Sequence, residues 1–212
     1  VGKETGLRVD YNEWDDEHTG LFTTSSDYLT IIQLAKLKDI TLEQQYNLKE
    51  HTQDVSVQKL KNLSSELESY KKAHGLIDYN DMILDFIKSD ASPEFDVVFI
   101  DEAQDLSRMQ WNMAKTIWNK TKDSYIAGDD DQAIFRWAGA DVDSFIAQTG
   151  KFLRLTESLR VPRVVHDVAM NIVKRISKRH HKEWKPKNKT GLLSYYHEFQ
   201  DVDMSSRLVC IG

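Results

Sequence analysis

A short apolar run that ends in a group of acids lies in the middle of this chain. Val97 to Ile100 is unbroken and apolar, which predicts a strand buried on both faces in a parallel sheet. Asp101, Glu102 and Asp105 follow it. Ligands of open α/β sheets bind beyond the carboxyl ends of the strands, and adjacent carboxylates there suit a hydrated Mg²⁺ beside a nucleotide. A solvated helix start, favoured by the helix macrodipole, accounts for the same acids.

A second segment of the same design follows along the chain. Residues 124–127 predict another short strand, and residues 128–132 (Gly-Asp-Asp-Asp-Gln) form another acidic turn. An aromatic pair, Phe135 and Trp137, comes directly after this turn. The repetition makes a ligand site at one edge of a sheet a stronger interpretation than a chance helix start.

These segments resemble the motifs of UvrD/Rep-type superfamily 1 DNA helicases. Residues 101–105, Asp-Glu-Ala-Gln-Asp, look like the Walker B motif of that family. Residues 128–140 resemble its third motif, usually GDxxQxIYxWRGA, and residues 155–160 resemble its fourth, usually LxxNYR. Order and spacing agree with the family, and the likeness is strong from about residue 78 to 180.

The resemblance implies an α/β fold, namely part of a RecA-like P-loop NTPase parallel sheet with an N-terminal helical insertion domain. We expect residues 1–92 to be mainly the helical insertion of the first motor domain. Residues 93–158 would form the RecA-like core with the Walker B and third motifs. Residues 159–212 would hold the fourth motif, a basic helix and the start of the second motor domain. The predicted strands are 97–100, 124–127, 152–155 and 191–196.

Capping residues and apolar periodicity predict the helices. Thr41 and Asp78 are typical N-caps, as is one of Ser25, Ser26 and Asp27, whereas Gly75 is a typical C-cap. Pro162 suits a first helical turn. The residues predicted to face inward are Tyr28, Ile31, Ile32 and Ala35; Leu60, Leu63, Leu67 and Tyr70; Tyr79, Met82, Ile83, Phe86 and Ile87; Leu106, Met109, Met113 and Ile117; and Val165, Val168, Ile172 and Ile176.

The resemblance also implies roles in ATP hydrolysis for individual side chains. Asp101 would hold Mg²⁺ through water, and Glu102 would polarise the attacking water. Gln132 would contact the γ-phosphate of ATP, and Arg160 would place positive charge on the same phosphate. Glu102, Gln132 and Arg160 are therefore the expected catalytic residues, and together with Asp101 they are the expected nucleotide-binding residues.

The same resemblance implies a single-stranded DNA site at Phe135, Arg136 and Trp137. The two aromatic rings would stack on bases, which needs no sequence readout and suits translocation. Aromatic side chains are more often part of a core. The position of the pair between a polar turn and residues 138–140 (Ala-Gly-Ala) nevertheless favours exposure.

As a whole, the resemblance implies a fragment of an ATP-dependent DNA helicase that uses ATP and Mg²⁺ in replication or repair in the cytoplasm of a bacterial or phage-infected cell. The 212 residues contain no GxxxxGK[ST]. Leu159 replaces the tyrosine that stacks on adenine, and Ala138 replaces an arginine. We expect the chain to be inactive alone and to need the remainder of the helicase with its Walker A segment.

Two other functions fit parts of the sequence. A metal-dependent nuclease would use Asp101, Glu102, Asp105 and Asp129 around two ions, and a non-catalytic DNA- or protein-binding module would retain only the fold. The net charge of −6 does not indicate nucleic acid, although residues 174–189 are strongly basic and suit either a helix end or a phosphate-contacting surface. No apolar run approaches the ~18 residues of a membrane span.

Overall fold

The computed structural model describes residues 27–51, 55–195 and 197 of the chain. The chain divides into two compact units, Val1–Thr149 and Gly150–Gly212. The second unit contains α7 (Arg163–Val173). The first contains α1 (Asp27–Leu37), α2 (Leu42–Asn47), α3 (Val57–His74), α4 (Tyr79–Ser89), β1 (Phe95–Ile100), α5 (Arg108–Trp118), β2 (Thr121–Ile126) and α6 (Val142–Ile146).

The caps predicted at Thr41, Gly75 and Asp78 are present at the helix ends. The side-chain oxygen of Thr41 accepts the Gln44 N–H, and the Asp78 carboxylate accepts the Asp81 N–H at 2.8 Å. Each therefore satisfies a backbone donor that the first helical turn leaves unpaired. Gly75 ends α3 with φ 62°, a left-handed conformation in which a side chain would be strained. Ser25 and Ser26 lie outside the described residues.

Helices α1, α2 and α3 enclose the apolar core of the first unit. Burial of this surface is the main force that holds these helices together, because isolated helices of this length are marginal in water. Among the predicted inward residues, Tyr70 is instead exposed and Leu67 only half-buried. The buried residues of this core cluster are Ile31, Ile32, Val55, Leu60 and Leu63, with Tyr28, Leu29, Leu42 and Tyr46 packed against them. Further buried apolar side chains, among them Met109 and Trp111, lie in α5.

An ion cluster between α1, α3 and α4 lies beside this core. Lys71 is only 7% exposed, and its Nζ contacts Asp81 Oδ2 at 2.6 Å and Glu68 Oε1 at 2.9 Å. Lys36 Nζ contacts Asp81 Oδ1 at 3.1 Å. Burial would lower the pKa of Lys71, but its hydrogen bonds to Asp81, Glu68 and Asp78 outweigh burial and raise the pKa. A charged lysine inside the fold was not predicted from the sequence.

This cluster explains why the prediction for α4 was partly wrong. Tyr79 and Met82, expected to face inward, are exposed, whereas Asn80 is buried. Asp81 binds Lys36 of α1 and Lys71 of α3. The face of α4 that carries Asn80 and Asp81 therefore points toward the core. The apolar face that remains inside is correspondingly displaced from the one predicted by periodicity alone.

The pKa of Asp81 leads to a prediction about stability in acid. Burial would raise this pKa, but hydrogen bonds from Lys71, the Asp78 N–H and Lys36 lower it from 3.8 to about 2. The folded pKa lies below the unfolded one, so the stabilisation is complete above about pH 4 and is lost as the pH falls to about 2. We expect Asp81→Asn to cost on the order of 2 kcal/mol at pH 6 and almost nothing at pH 2.

Urea unfolding of wild type and variant at several pH values measures this difference. Asp85→Asn, an exposed position on the same helix, is the matched control and should cost little at any pH. A cost for Asp81→Asn that is the same at pH 6 and pH 2 would contradict the assigned pKa.

Strands β1 and β2 form a parallel two-stranded sheet. Val97 pairs with Asp123 and Phe99 with Tyr125 in register. The prediction that β1 is buried on both faces was wrong: Phe99 is 76% exposed and its ring stacks on that of Tyr125 at 5.1 Å, itself 57% exposed. An unbroken apolar run predicts burial only when other layers cover both faces, and on the Phe99 side the described residues supply no such cover.

Two further strand predictions were wrong. Residues 152–155 are not a strand, and Phe152, Leu153 and Leu155 are exposed. Residues 191–195 are likewise not a strand, and Tyr196 lies outside the described residues. Within the described part of the second unit, a parallel bridge joins Glu157 to Lys185 instead. A short apolar run becomes a strand only where a partner backbone accepts its hydrogen bonds.

Helix α7 begins directly after Pro162, close to the predicted start. It ends at Val173, so Ile176 lies beyond it, and Val165, Val168 and Ile172 are exposed rather than inward. Their spacing is that of an amphipathic helix, but the described part of this unit does not cover the face. Among the helices that the structure describes in either unit, none is long and apolar enough to cross a membrane.

Candidate functional site

The parallel pairing of β1 and β2 places the two acidic turns at one edge of the sheet. Ala127 N donates to Ile100 O at 2.7 Å, and Ala103 N donates to Ala127 O at 3.0 Å. These bonds extend the strand pairing beyond the last residues of both strands. The turn that begins at Asp101 and the turn that begins at Gly128 are thereby held side by side, as the sequence predicted.

Asp101 and Glu102 emerge into solvent at this edge. The Asp101 Oδ1 atom accepts the Glu102 N–H at 2.9 Å. Glu102 has φ 50° and ψ 38°, a left-handed conformation that costs a residue with a side chain roughly 1–2 kcal/mol. Strain of this kind persists where the surroundings over-determine the backbone and is frequent at functional sites. It is consistent with a specific placement of the Glu102 carboxylate.

The acidic residues fit a magnesium ion that arrives with a nucleotide. Within the described residues, no group of three or more His, Cys, Asp or Glu side chains is placed to hold a metal ion. The four carboxylates of the nuclease alternative are therefore not gathered around one ion position. Mg²⁺ at nucleotide sites usually keeps several waters and takes one or two carboxylates in addition to substrate phosphates. The exposed Asp101 suits that arrangement.

The Gly128 turn places Gln132 on the same edge. Asp129 caps the short 3₁₀ turn Asp130–Gln132, because its Oδ1 accepts the Asp131 N–H at 3.1 Å. Its Oδ2 accepts a hydrogen bond from Gln132 Nε2 at 2.7 Å. The Gln132 amide is exposed and is held beside its own turn, where it can exchange Asp129 for another oxygen acceptor.

The aromatic pair lies in the next 3₁₀ turn. Trp137 is 58% exposed, as predicted, whereas Phe135 is half-buried. Their ring centroids are 6.5 Å apart with a 53° angle between planes, so the rings do not form one flat platform. Arg136 Nη2 contacts Asp143 Oδ1 at 3.1 Å on the surface. This loop therefore exposes the indole ring of Trp137. Beside it lies Arg136, whose charge is partly offset by Asp143.

Close packing fixes the loop that carries Trp137. Gly139 has φ 99°, and a Cβ atom there would lie 3.3 Å from Leu37 Cβ, so a side chain would be strained and crowded. Asp141 N donates to Leu106 O at 2.8 Å. The loop is thus held against α1 and the start of α5. Ala138, which stands where the motif of the family usually has an arginine, is buried.

Arg160 lies in the second unit and is described with it. It is exposed, and Leu159 beside it is almost fully exposed. The preceding backbone is held by the basic stretch, because Ser158 N donates to Lys185 O and Lys185 N donates to Thr156 O, both at 2.8 Å.

Further along the same two segments, Lys187 N donates to Val161 O at 2.9 Å. The basic stretch 174–189 begins at Lys174, the residue that caps α7, and lies beyond the last helical residue, Val173. The position of these basic residues in the last turn of a helix, one of the two interpretations of the sequence, therefore does not account for the stretch.

A comparison with known families matches residues 7–152 to the UvrD/REP helicase N-terminal domain. The chain belongs to the UvrD/Rep helicase family. Within this family the chain is similar to proteins named ATP-dependent DNA helicase PcrA. The relative from Bacillus subtilis is 28% identical over 135 residues, which cover 57% of this chain and 18% of the relative.

Two further relatives with the same name come from staphylococci. The Staphylococcus epidermidis protein is 26% identical over 148 residues, covering 63% of this chain and 20% of the relative. The Staphylococcus aureus protein is 26% identical over 136 residues, covering 58% of this chain and 19% of the relative. The matched part of this UvrD/Rep family chain thus spans about a fifth of the length of these curated relatives.

Two features of the site were missed by sequence reasoning. The left-handed backbone of Glu102 has no sequence signal, because glutamate is not a residue that usually adopts it. Gln104 stands inside the Walker B segment and was assigned no role, yet it is buried between the two acidic turns. The available signal was an uncharged polar residue placed between two acidic residues, Glu102 and Asp105.

Proposed function

We propose that this chain supplies part of the ATP-hydrolysing motor of a helicase that moves on single-stranded DNA. The observation that supports it best is the alignment of the two acidic turns by the bonds Ala127 N to Ile100 O and Ala103 N to Ala127 O. This arrangement brings the carboxylates of Asp101 and Glu102 and the amide of Gln132 to one sheet edge, where nucleotide ligands of α/β folds bind. The names of the relatives support the same activity.

Each site residue has a distinct proposed task. Asp101 would hold Mg²⁺ through water, and the ion would neutralise charge on the phosphates of ATP. Glu102 would orient and polarise the attacking water, and its exposed, strained position keeps the carboxylate at the sheet edge. Gln132 would donate its amide to a γ-phosphate oxygen, for which it would leave Asp129. Arg160 would place positive charge on the same phosphate.

DNA binding is proposed for the loop with Phe135, Arg136 and Trp137. The exposed indole of Trp137 offers a face on which a base can stack, and Phe135 supports the loop from a half-buried position. Arg136 and the basic stretch 174–189 would contact the phosphates. Only three residues separate Gln132 from Phe135, so a movement of the phosphate sensor during hydrolysis has a short route to the DNA.

The fold context follows from the same proposal. Helices α1 to α4 would be the helical insertion, residues 93–158 the RecA-like core and residues 159–212 the beginning of the second motor domain. Because β1 and β2 pair directly, a Walker A strand would extend an outer edge of this sheet rather than lie between the two strands. Such open edges invite pairing with another backbone. Work in the cytoplasm during DNA replication or repair would suit this activity.

The isolated 212-residue chain is expected to hydrolyse ATP no faster than background. It contains no Walker A backbone loop or lysine to hold the β- and γ-phosphates. Phosphate release with Mg-ATP and a single-stranded oligonucleotide measures this directly. DNA-stimulated turnover that disappears in Glu102→Gln would overturn the expectation.

The complementary experiment adds a segment that contains a Walker A strand and loop. Its backbone should pair with the sheet, raise the melting temperature and restore Mg-ATP binding, whereas a segment with the Walker A lysine changed to alanine should raise the melting temperature without restoring nucleotide binding. No gain in either property would count against the proposed motor.

A further inference from the structure

Gln104 is a buried amide between the two acidic turns. Its side chain is among the largest that are almost completely enclosed, with 1% of the residue exposed. Its Nε2 donates to Glu102 Oε2 at 2.9 Å and to Asp105 Oδ2 at 3.1 Å. Its Oε1 accepts the Asp129 N–H at 2.9 Å. The NH₂ group of Gln104 therefore donates to two residues of the first turn, and its oxygen accepts a hydrogen bond from the second turn.

This set of partners leaves only one orientation of the amide. The carboxylates of Glu102 and Asp105 accept but cannot donate, and the Asp129 N–H donates but cannot accept. If the amide were flipped, its oxygen would lie against the carboxylate oxygens of Glu102 and Asp105. Its NH₂ group would then lie against the Asp129 N–H. Burial makes such a mismatch costly, because water cannot replace the lost partners.

The residue opposite Gln104 is a glycine, which leaves room for the amide. A Cβ atom on Gly128 would lie 2.6 Å from Gln104 Oε1. A real Cβ never comes that close, so the glycine of the second turn is what allows the amide to reach the Asp129 N–H. The fit between Gln104 and Gly128 thus couples a residue of the first turn to one of the second.

The hydrogen bonds form one continuous route across the site. The route runs from Glu102 Oε2 to the Gln104 amide, from Gln104 Oε1 to the Asp129 backbone, and from Asp129 Oδ2 to Gln132 Nε2 at 2.7 Å. We propose that Gln104 is a positioning residue that orients the Glu102 carboxylate and holds it in register with Gln132. The inference rests on the proposed function, which assigns water activation to Glu102 and γ-phosphate contact to Gln132.

If Gln104 positions both residues, a change at Glu102 should alter the environment of Gln132. Removing the Glu102 carboxylate frees one donor of Gln104, lets its amide relax and moves the Asp129 backbone that holds Gln132. Backbone bonds of Ala103 and Ala127 also join the two turns, but they do not involve the side chain of Glu102. A signal at Gln132 that depends on both Glu102 and Gln104 therefore distinguishes positioning from a purely structural contribution.

NMR of the ¹⁵N-labelled 212-residue chain, without nucleotide, measures this coupling. Glu102→Ala should shift the side-chain amide resonances of Gln132 in the wild-type background and leave them unshifted in a Gln104→Met background. Gln104→Met should also make the Asp129 amide exchange with solvent roughly 2- to 12-fold faster, the factor expected for the loss of one hydrogen bond. Gln104→Leu also lacks donor and acceptor, so it should likewise speed Asp129 exchange and abolish the Gln132 shift.

Gln45→Met is the matched control. Gln45 is also 1% exposed and also donates from Nε2 to a glutamate, Glu50 Oε2, at 2.9 Å, but it lies in α2. It should lower the melting temperature while leaving the Gln132 response to Glu102→Ala intact. If Gln104→Met does not fold, Gln104→Leu decides the result.

A Gln132 shift that persists in the Gln104 variants, or that is absent in the wild-type background, overturns the proposal. Because the samples contain no ATP, this result is independent of whether the motor proposal survives its own test.

Discussion

Glu102→Gln is expected to lower kcat for ATP by about 10²- to 10⁴-fold in a chain joined to a Walker A segment, the usual contribution of a positioned general base. The amide keeps the size and planarity of the carboxylate but cannot polarise water as a base. Glu102 is exposed, so its replacement should change neither folding nor the melting temperature appreciably. Steady-state phosphate release with saturating single-stranded DNA measures kcat, and nucleotide titration measures binding separately.

The strand itself provides the control for this experiment. Glu94 lies immediately before β1, at the end of the strand opposite Glu102, and is exposed. Glu94→Gln changes the same functional group and should leave kcat unaltered. A Glu102→Gln enzyme with wild-type kcat would show that Glu102 does not activate water, and the roles proposed for the sheet edge would have to be reassigned.

Trp137→Ala is expected to weaken binding of a single-stranded oligonucleotide by about 1–3 kcal/mol, the range for one base stacked on an aromatic ring. This corresponds to a roughly 5- to 150-fold higher Kd. The indole is more than half exposed, so truncation removes little packing and the melting temperature should barely change. Fluorescence anisotropy with a labelled oligonucleotide at low salt gives the affinity, and its salt dependence reports the phosphate contacts of the basic stretch.

Two variants make the DNA result specific. Tyr195→Ala removes an exposed aromatic ring from the second unit and should leave affinity close to wild type. Phe135→Ala should lower both affinity and stability, because Phe135 is half-buried in the loop. Equal affinity of wild type and Trp137→Ala would rule out the stacking platform, whatever the effect of Phe135→Ala.

Several helix boundaries and the position of the acidic turns were predictable because they depend on nearby residues. A cap such as Asp78 bonds a backbone N–H three residues along the chain, so its effect is readable from a short segment. The acidic turns follow apolar runs that can pair in parallel, and parallel strands place their carboxyl ends together. Asp101, Glu102 and Gln132 accordingly lie at the edge where the sequence placed them.

What the sequence alone determined about this protein is therefore local: the caps, the periodic segments, the motif spacing and the resemblance to its family. Only the tertiary structure decided which faces are covered. It exposed Phe99 and turned Asp81 inward, since burial depends on the layers and charges that other segments bring. It also gave Glu102 its left-handed backbone and Gln104 its three partners, because those contacts join turns that are distant in sequence and adjacent only after β1 and β2 have paired.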